Sequence, residues 1–251
     1  MSWNISSASS TQTVNDNSLT HSKYLMAYTL QGFSLDMKQE VINESASTAN
    51  GLLEIWDEWP EIATLAMKLI YNLPLTSTDE QNLKELASAT GWNTEDIKNE
   101  LVKLTIDPSK RAEEYKNLLE KYYKEALELF NSDDTRQAGK KIWASILALM
   151  KLYASHKRIF IEHWSRGKID NFIASNVEPK HRKLFRELID RAQILHEHFY
   201  EGHLNKELFK ERWNEVIELF KKTKEIIYEE FQLRAVSVLI ITRIIYEHSD
   251  P

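Results

Sequence analysis

Asp107–Ala154, DPSKRAEEYKNLLEKYYKEALELFNSDDTRQAGKKIWASILALMKLYA, is the stretch that decides the fold class. Asp107 followed by Pro108 reads as a cap and a first-turn proline, and the next 23 residues contain no helix breaker. Ala112, Tyr115, Leu119, Tyr122, Ala126 and Leu129 recur at alternating steps of three and four, which places them on one face of a long amphipathic helix. Asn131–Asp134 then makes a tight polar turn. A second long helix is expected from about Asp134 to Tyr153, with Ala138, Ile142, Ile146, Leu149 and Tyr153 on one face. Two long helices joined by so short a turn must lie antiparallel, as an αα-hairpin.

Outward from the hairpin the same signals repeat. On the C-terminal side, Pro179 opens a third helix that runs to about Glu201, and Gly202 closes it. Asn205 caps a fourth, with Phe209, Trp213, Val216, Phe220, Ile227 and Phe231 in register. Residues 105–251 therefore read as an all-α, four-helix bundle. Its last stretch, Ala235–Tyr246 (AVSVLIITRIIY), is apolar nearly all round. As a helix it must be buried in the fold or in a partner, a second copy or another helical protein. Its β-branched residues would also suit a strand, but no second strand is evident to pair with it.

On the N-terminal side, residues 34–104 read as a small helical region. Pro60 opens Glu61–Asn72 and Pro74 ends it; Ser77 with Glu80 reads as a capping box ahead of Leu83 and Leu86; Gly91 is the C-cap. A further short helix is expected from about Thr94 to Leu104. Residues 1–33 are a polar tail with few large apolar side chains to offset the entropy of ordering.

With 6 Gly, 5 Pro and no Cys in 251 residues, several chemistries are excluded. No disulfide, thiol nucleophile or Cys-bound metal can form, and the glycine loops that cradle phosphates (GxxxxGK[ST], GxGxxG) are missing. No HExxH occurs, nor a Glu-x-x-His pair repeated on two helices, so no metal or cofactor is expected. The histidines His181, His196, His198 and His203 cluster in sequence, but His196 and His198 point about 200° apart on a helix and cannot share an ion from one face. The polar N-terminus does not resemble a signal peptide. The densest apolar run contains Arg243 and falls short of the roughly 20 residues a membrane span needs. A soluble, cytoplasmic protein is the expectation, with no membrane partner.

The hairpin run from Asp107, the block QAGKKIWASILALMKLYA, and LFRELIDRAQILHEHFYEG from Leu184 to Gly202 together resemble the archaeal PaREP family over roughly residues 80–222. In the last block the family pattern is an LH-x-NFYE-type helix end; here Leu195, His196, Phe199, Tyr200 and Glu201 match, and His198 stands where Asn is usual. The resemblance implies an archaeal source and a HEPN-like helical bundle. HEPN ribonucleases carry an Arg, four to six residues and then a His on one helix, with two copies facing across a dimer groove. Arg191 and His196 have that spacing, and would act as a metal-independent pair: His moves the 2′-hydroxyl proton while Arg stabilises the phosphorane. Ala192 departs from the polar residue usual after that Arg. The other reading makes His196, in register with Phe185, Ile189, Ala192 and Phe199, a packed histidine with a satisfied hydrogen bond, and Arg191 a surface cation.

Charge is distributed unevenly behind the net −6. Residues 135–168 hold eight basic side chains (Arg136, Lys140, Lys141, Lys151, Lys157, Arg158, Arg166, Lys168) against one acidic, Glu162, with Tyr153, Phe160 and Trp164 interleaved. Lys180, His181, Arg182, Lys183 and Arg186 follow at the start of the third helix. Such a segment can hold phosphates while aromatics stack on bases, so 136–186 is a candidate surface for RNA or nucleotide. The competing reading is that the acidic first half of the chain covers it. The expected function is a helical interaction module of the HEPN-like type that contacts RNA or nucleotide without cutting, with the ribonuclease as the alternative.

Overall fold

The computed structural model describes residues 59–247 except 105, 107 and 160–165, and gives backbone alone for 108, 166 and 234–247. The tail 1–33, the helical pattern proposed from residue 34 to 58, the Asp107 cap and the aromatics Phe160 and Trp164 lie outside the described residues. Among the described residues eight α-helices follow one another: α1 (Pro60–Ile70), α2 (Ser77–Thr90), α3 (Thr94–Val102), α4 (Ala112–Asn131), α5 (Thr135–His156), α6 (Arg166–Asn176), α7 (Arg182–Glu201) and α8 (Lys206–Glu247). No strand occurs among the described residues, and no helix there is long and apolar enough to cross a membrane. The fold is all-α.

The hairpin forms where its pattern places it. The Asp134 carboxylate caps α5 by accepting the Gln137 N–H at 3.1 Å, and Asp133 takes the left-handed turn position at φ 66°. Around the hairpin α7 and α8 close a four-helix bundle. The α4–α8 seam is aromatic: Tyr123 stacks on Phe220 at 5.0 Å and Phe130 on Trp213 at 4.6 Å. At its centre, α5 is buried on every side from Ile142 to Ser155, not only along the one face its strongest periodicity marks. The run ASILALMKLYAS is apolar throughout except for Ser145, Lys151 and Ser155, so partners can surround it. The N-terminal helices provide some of that cover through two indole bonds, Trp92 Nε1–H to the Ala144 carbonyl and Trp143 Nε1–H to the Ala89 carbonyl, both 3.0 Å.

Several boundaries differ from the sequence expectation, each for a local reason. The capping box of α2 uses Thr76 and Asp79 rather than Ser77 and Glu80; the Asp79 carboxylate also binds Lys68 of α1 at 2.6 Å, which favours that frame. Pro108 opens a 3-10 turn, Pro108–Arg111, and the α-helix starts only at Ala112. Pro179 lies in the turn ahead of α7, where the His181 N–H bonds the Glu178 carbonyl at 2.8 Å. Helix α6 has no counterpart in the sequence reading, although Ile169, Phe172, Ile173 and Val177 carry a helical spacing and all are buried. The apolar segment Ala235–Tyr246 is not a separate helix. It continues α8, one helix of 42 residues whose first turn is capped by Asn205 Oδ1 accepting the Leu208 N–H at 2.9 Å.

Candidate functional site

Helices α5 and α7 run antiparallel, so the start of α5 faces the end of α7. Gly139 permits a close approach of the two: a Cβ there would fall against the Leu195 carbonyl of α7. One turn further along α5, Trp143 stacks on His196 at 5.4 Å, and Tyr200 meets the same imidazole edge-on at 5.2 Å. His196 is 8 % exposed, and its Nδ1 is buried without a hydrogen-bond partner. The ring is packed, but the satisfied nitrogen expected of a packed histidine is absent at Nδ1. Burial, assisted by the charge of Lys140, pushes its pKa down to about 4. The imidazole is therefore neutral near pH 7, and the burial that keeps it neutral also makes it a weak base.

Arg191 lies on α7 at about 140° from His196 around the helix axis. Its half-exposed guanidinium pairs with Glu215 of α8 at 3.0 Å. Thus His196 is held from the α5 side and Arg191 from the α8 side, and each has its own neighbour.

His198 is the better-built histidine, and its role was not legible beforehand. It is 2 % exposed; Nδ1 accepts the Leu204 N–H at 2.9 Å, which leaves Nε2–H to meet Thr135 Oγ1 at 3.2 Å. The ring thereby ties the α7–α8 turn to the start of α5. The second unforeseen cluster surrounds Glu100, whose carboxylate holds Lys151 at 2.5 Å, the Tyr115 hydroxyl at 3.2 Å and the Arg111 guanidinium. Those three donors outweigh the penalty of burial and keep Glu100 ionised, below the usual carboxylate range. A single Lys inside the apolar run LALMKLYA is the signal that a buried carboxylate must exist elsewhere.

The basic segment divides in two. Its first part is engaged within the chain. Arg136 donates to the Phe199 and Tyr200 carbonyls at 2.7–3.0 Å, a cation closing the C-terminus of α7. Lys140 sits 4.6 Å from the Phe199 ring, Lys141 pairs with Glu125 at 2.8 Å, and Lys151 is buried on Glu100. Lys157 binds Glu230 at 2.6 Å, and Arg182 donates to the Val177 carbonyl at 2.9 Å. Lys180 pairs with Glu178 at 2.9 Å on the open surface, and Lys168 is half-buried.

The second part faces water. Among the described residues Arg158, Lys183 and Arg186 are exposed and form no ion pair. Arg158 occupies a left-handed position, φ 58°, just after the end of α5. Because α7 runs antiparallel to α5, Lys183 and Arg186 lie at this same end of the bundle. The α4 start and the stretch of α8 near Phe231 reach it as well, since Ser109, Lys110, Leu152, His156 and Phe231 line one cleft.

Comparison with curated proteins and with solved structures finds no match. The model of the archaeal PaREP1/PaREP8 family matches residues 114–220. The match begins inside α4 and ends inside α8, so it takes in the hairpin, α6, α7 and the capped start of α8, but not α2 and α3, which the expected 80–222 span would largely have included. From Glu114 to Phe220 this chain carries the pattern of the archaeal PaREP1/PaREP8 family, the family its hairpin and helix-end residues resemble.

Proposed function

We propose that the protein is a HEPN-like helical interaction module that binds single-stranded RNA by its phosphates, without cutting it, at the end of the bundle where α5 stops and α7 starts. The supporting observation is that Arg158, Lys183 and Arg186 are exposed there and carry no carboxylate partner, unlike Lys141, Lys151 and Lys157 of the same basic segment. Lys180 and Lys168 flank them, and Arg166 lies in the same stretch of sequence. Cations not neutralised within the protein release counterions when they meet phosphate, so binding should weaken with salt. Three contacts to a single strand give a slope of about −2 in log K against log salt. A fluorescently labelled RNA followed by anisotropy tests this: the triple change Arg158→Ala, Lys183→Ala, Arg186→Ala should abolish most of the slope. Salt-independent or absent binding in the unaltered protein would overturn the reading.

The ribonuclease alternative keeps one observation in its favour, an unpartnered imidazole nitrogen at His196, while the burial that lowers its pKa counts against it as a base. It needs Arg191 to leave Glu215 and act across a dimer groove. Cleavage under metal chelation that His196→Ala abolishes would replace the binding reading with this one. In either case the apolar part of α8, Ala235–Tyr246, serves to pair two copies.

A further inference from the structure

The end of the bundle that carries the exposed cations also holds an open cleft of about 310 Å³ between α4, α5 and α8. One wall is aromatic: His156 stacks on Phe231 with 3.5 Å between ring centroids, and Tyr228 lies 5.9 Å from Phe231 at 56°. The 3-10 turn and the first turns of α4 line the same cleft, with Lys110 and Lys116; Glu113 lies between them in sequence, 3.7 Å from the Lys116 ammonium. Two chemistries thus line one small space, flat rings together with cations and a single carboxylate.

We infer that this cleft is a base-binding subsite for the RNA strand, taking one unstacked nucleotide. The base lies against the Phe231–Tyr228 wall, and the adjoining phosphates meet Lys110 and Lys116. Glu113 accepts a hydrogen bond from a ribose hydroxyl. Neither half of the cleft explains the other in a simpler ligand. A bare anion has no use for the rings, and an apolar molecule would strip water from two ammonium groups without compensation. A single nucleotide satisfies both, and the volume falls at the lower end of the range for small-ligand sites. The inference rests on the RNA reading above, because the strand is delivered by Arg158, Lys183 and Arg186 at the same end.

The probe is a labelled oligouridylate compared with an abasic oligomer of equal length, which keeps the phosphates and lacks the bases. The full-length protein should bind the oligouridylate about tenfold more tightly than the abasic strand, the size expected for one base stacked on protein rings. In the double variant Phe231→Leu, Tyr228→Leu, which keeps apolar volume and removes both rings, the two strands should bind alike. Lys110→Ala with Lys116→Ala should weaken both strands and leave their ratio unchanged. Circular dichroism of each variant verifies that the bundle is folded. Equal binding of both strands by the unaltered protein, or a ratio that survives loss of the rings, overturns the subsite while the phosphate surface stands. If neither strand binds, both readings fall.

Discussion

At the scale of single residues, the two histidines of the HFY-type helix end have opposite fates. His198, standing where the family pattern has Asn, uses Nδ1 as an acceptor for a buried backbone N–H. An Asn Oδ1 can accept the same bond, so the Asn that the resemblance implies here would serve the same contact. His196 is packed against Trp143 with nothing to bond Nδ1, and its pKa falls from 6.5 to about 4. Between those values the unfolded chain binds more protons than the folded one. The stability tied to a neutral His196 is thus fully present above about 6.5 and is lost as pH falls towards about 4. The loss amounts to about 3 kcal/mol at most. His196→Phe keeps a packed ring that cannot titrate. Urea melts across this range should show a shallower loss in the variant than in the wild type; parallel curves would mean that the imidazole is not desolvated in solution.

Among the elements, the contact of α5 with α7 governs where the site residues fall. Gly139 lies at that contact, and an added Cβ would collide with the backbone of Leu195, which is not a flexible side-chain tip. Gly139→Ala should force the helices apart and cost about 1–3 kcal/mol or more. It should also loosen the Trp143–His196 stack, so thermal melting and tryptophan fluorescence ought to change together. An unaltered melting temperature would show that the two helices sit further apart. Nothing in the spacing of QAGKKIW distinguishes this glycine from a tolerated one in a helix interior. The need arises from the partner helix. By contrast, Gly91 and Gly202 were legible as helix ends, and both adopt left-handed backbone, φ 74° and 63°.

For the whole molecule, the length of α8 matters most. At 1.5 Å per residue its 42 residues span about 63 Å, against about 33 Å for the 22 residues of α5. Among its described side chains the last buried one is Ile227, and Leu233 is 69 % exposed. The backbone stays helical to Glu247 through Ala235–Tyr246, in which Arg243 is the one charged residue. The pairing of two copies proposed above would cover such a segment symmetrically. Light scattering should give twice the 29.4 kDa chain mass for the full protein and a single chain after removal of residues 233–251. The same mass before and after truncation, in either state, would dispose of this pairing.

What the sequence by itself determined was whatever depends on local periodicity and capping: the all-α class, the antiparallel hairpin, the Asn205 cap, the glycine helix ends and the family resemblance over the bundle. Proline positions misled by a few residues, because Pro108 and Pro179 suit 3-10 and turn geometry as well as a first helical turn. The basic segment was legible as composition, but not as a surface. Which cations stay in water depends on carboxylates and carbonyls far away in sequence: Glu100 for Lys151, Glu230 for Lys157, the end of α7 for Arg136. Only tertiary packing selects those partners, since Coulomb attraction and desolvation depend on distance in space. The same holds for the cleft, whose rings and cations come from segments more than a hundred residues apart and meet only because α4 and α8 are neighbours in the bundle.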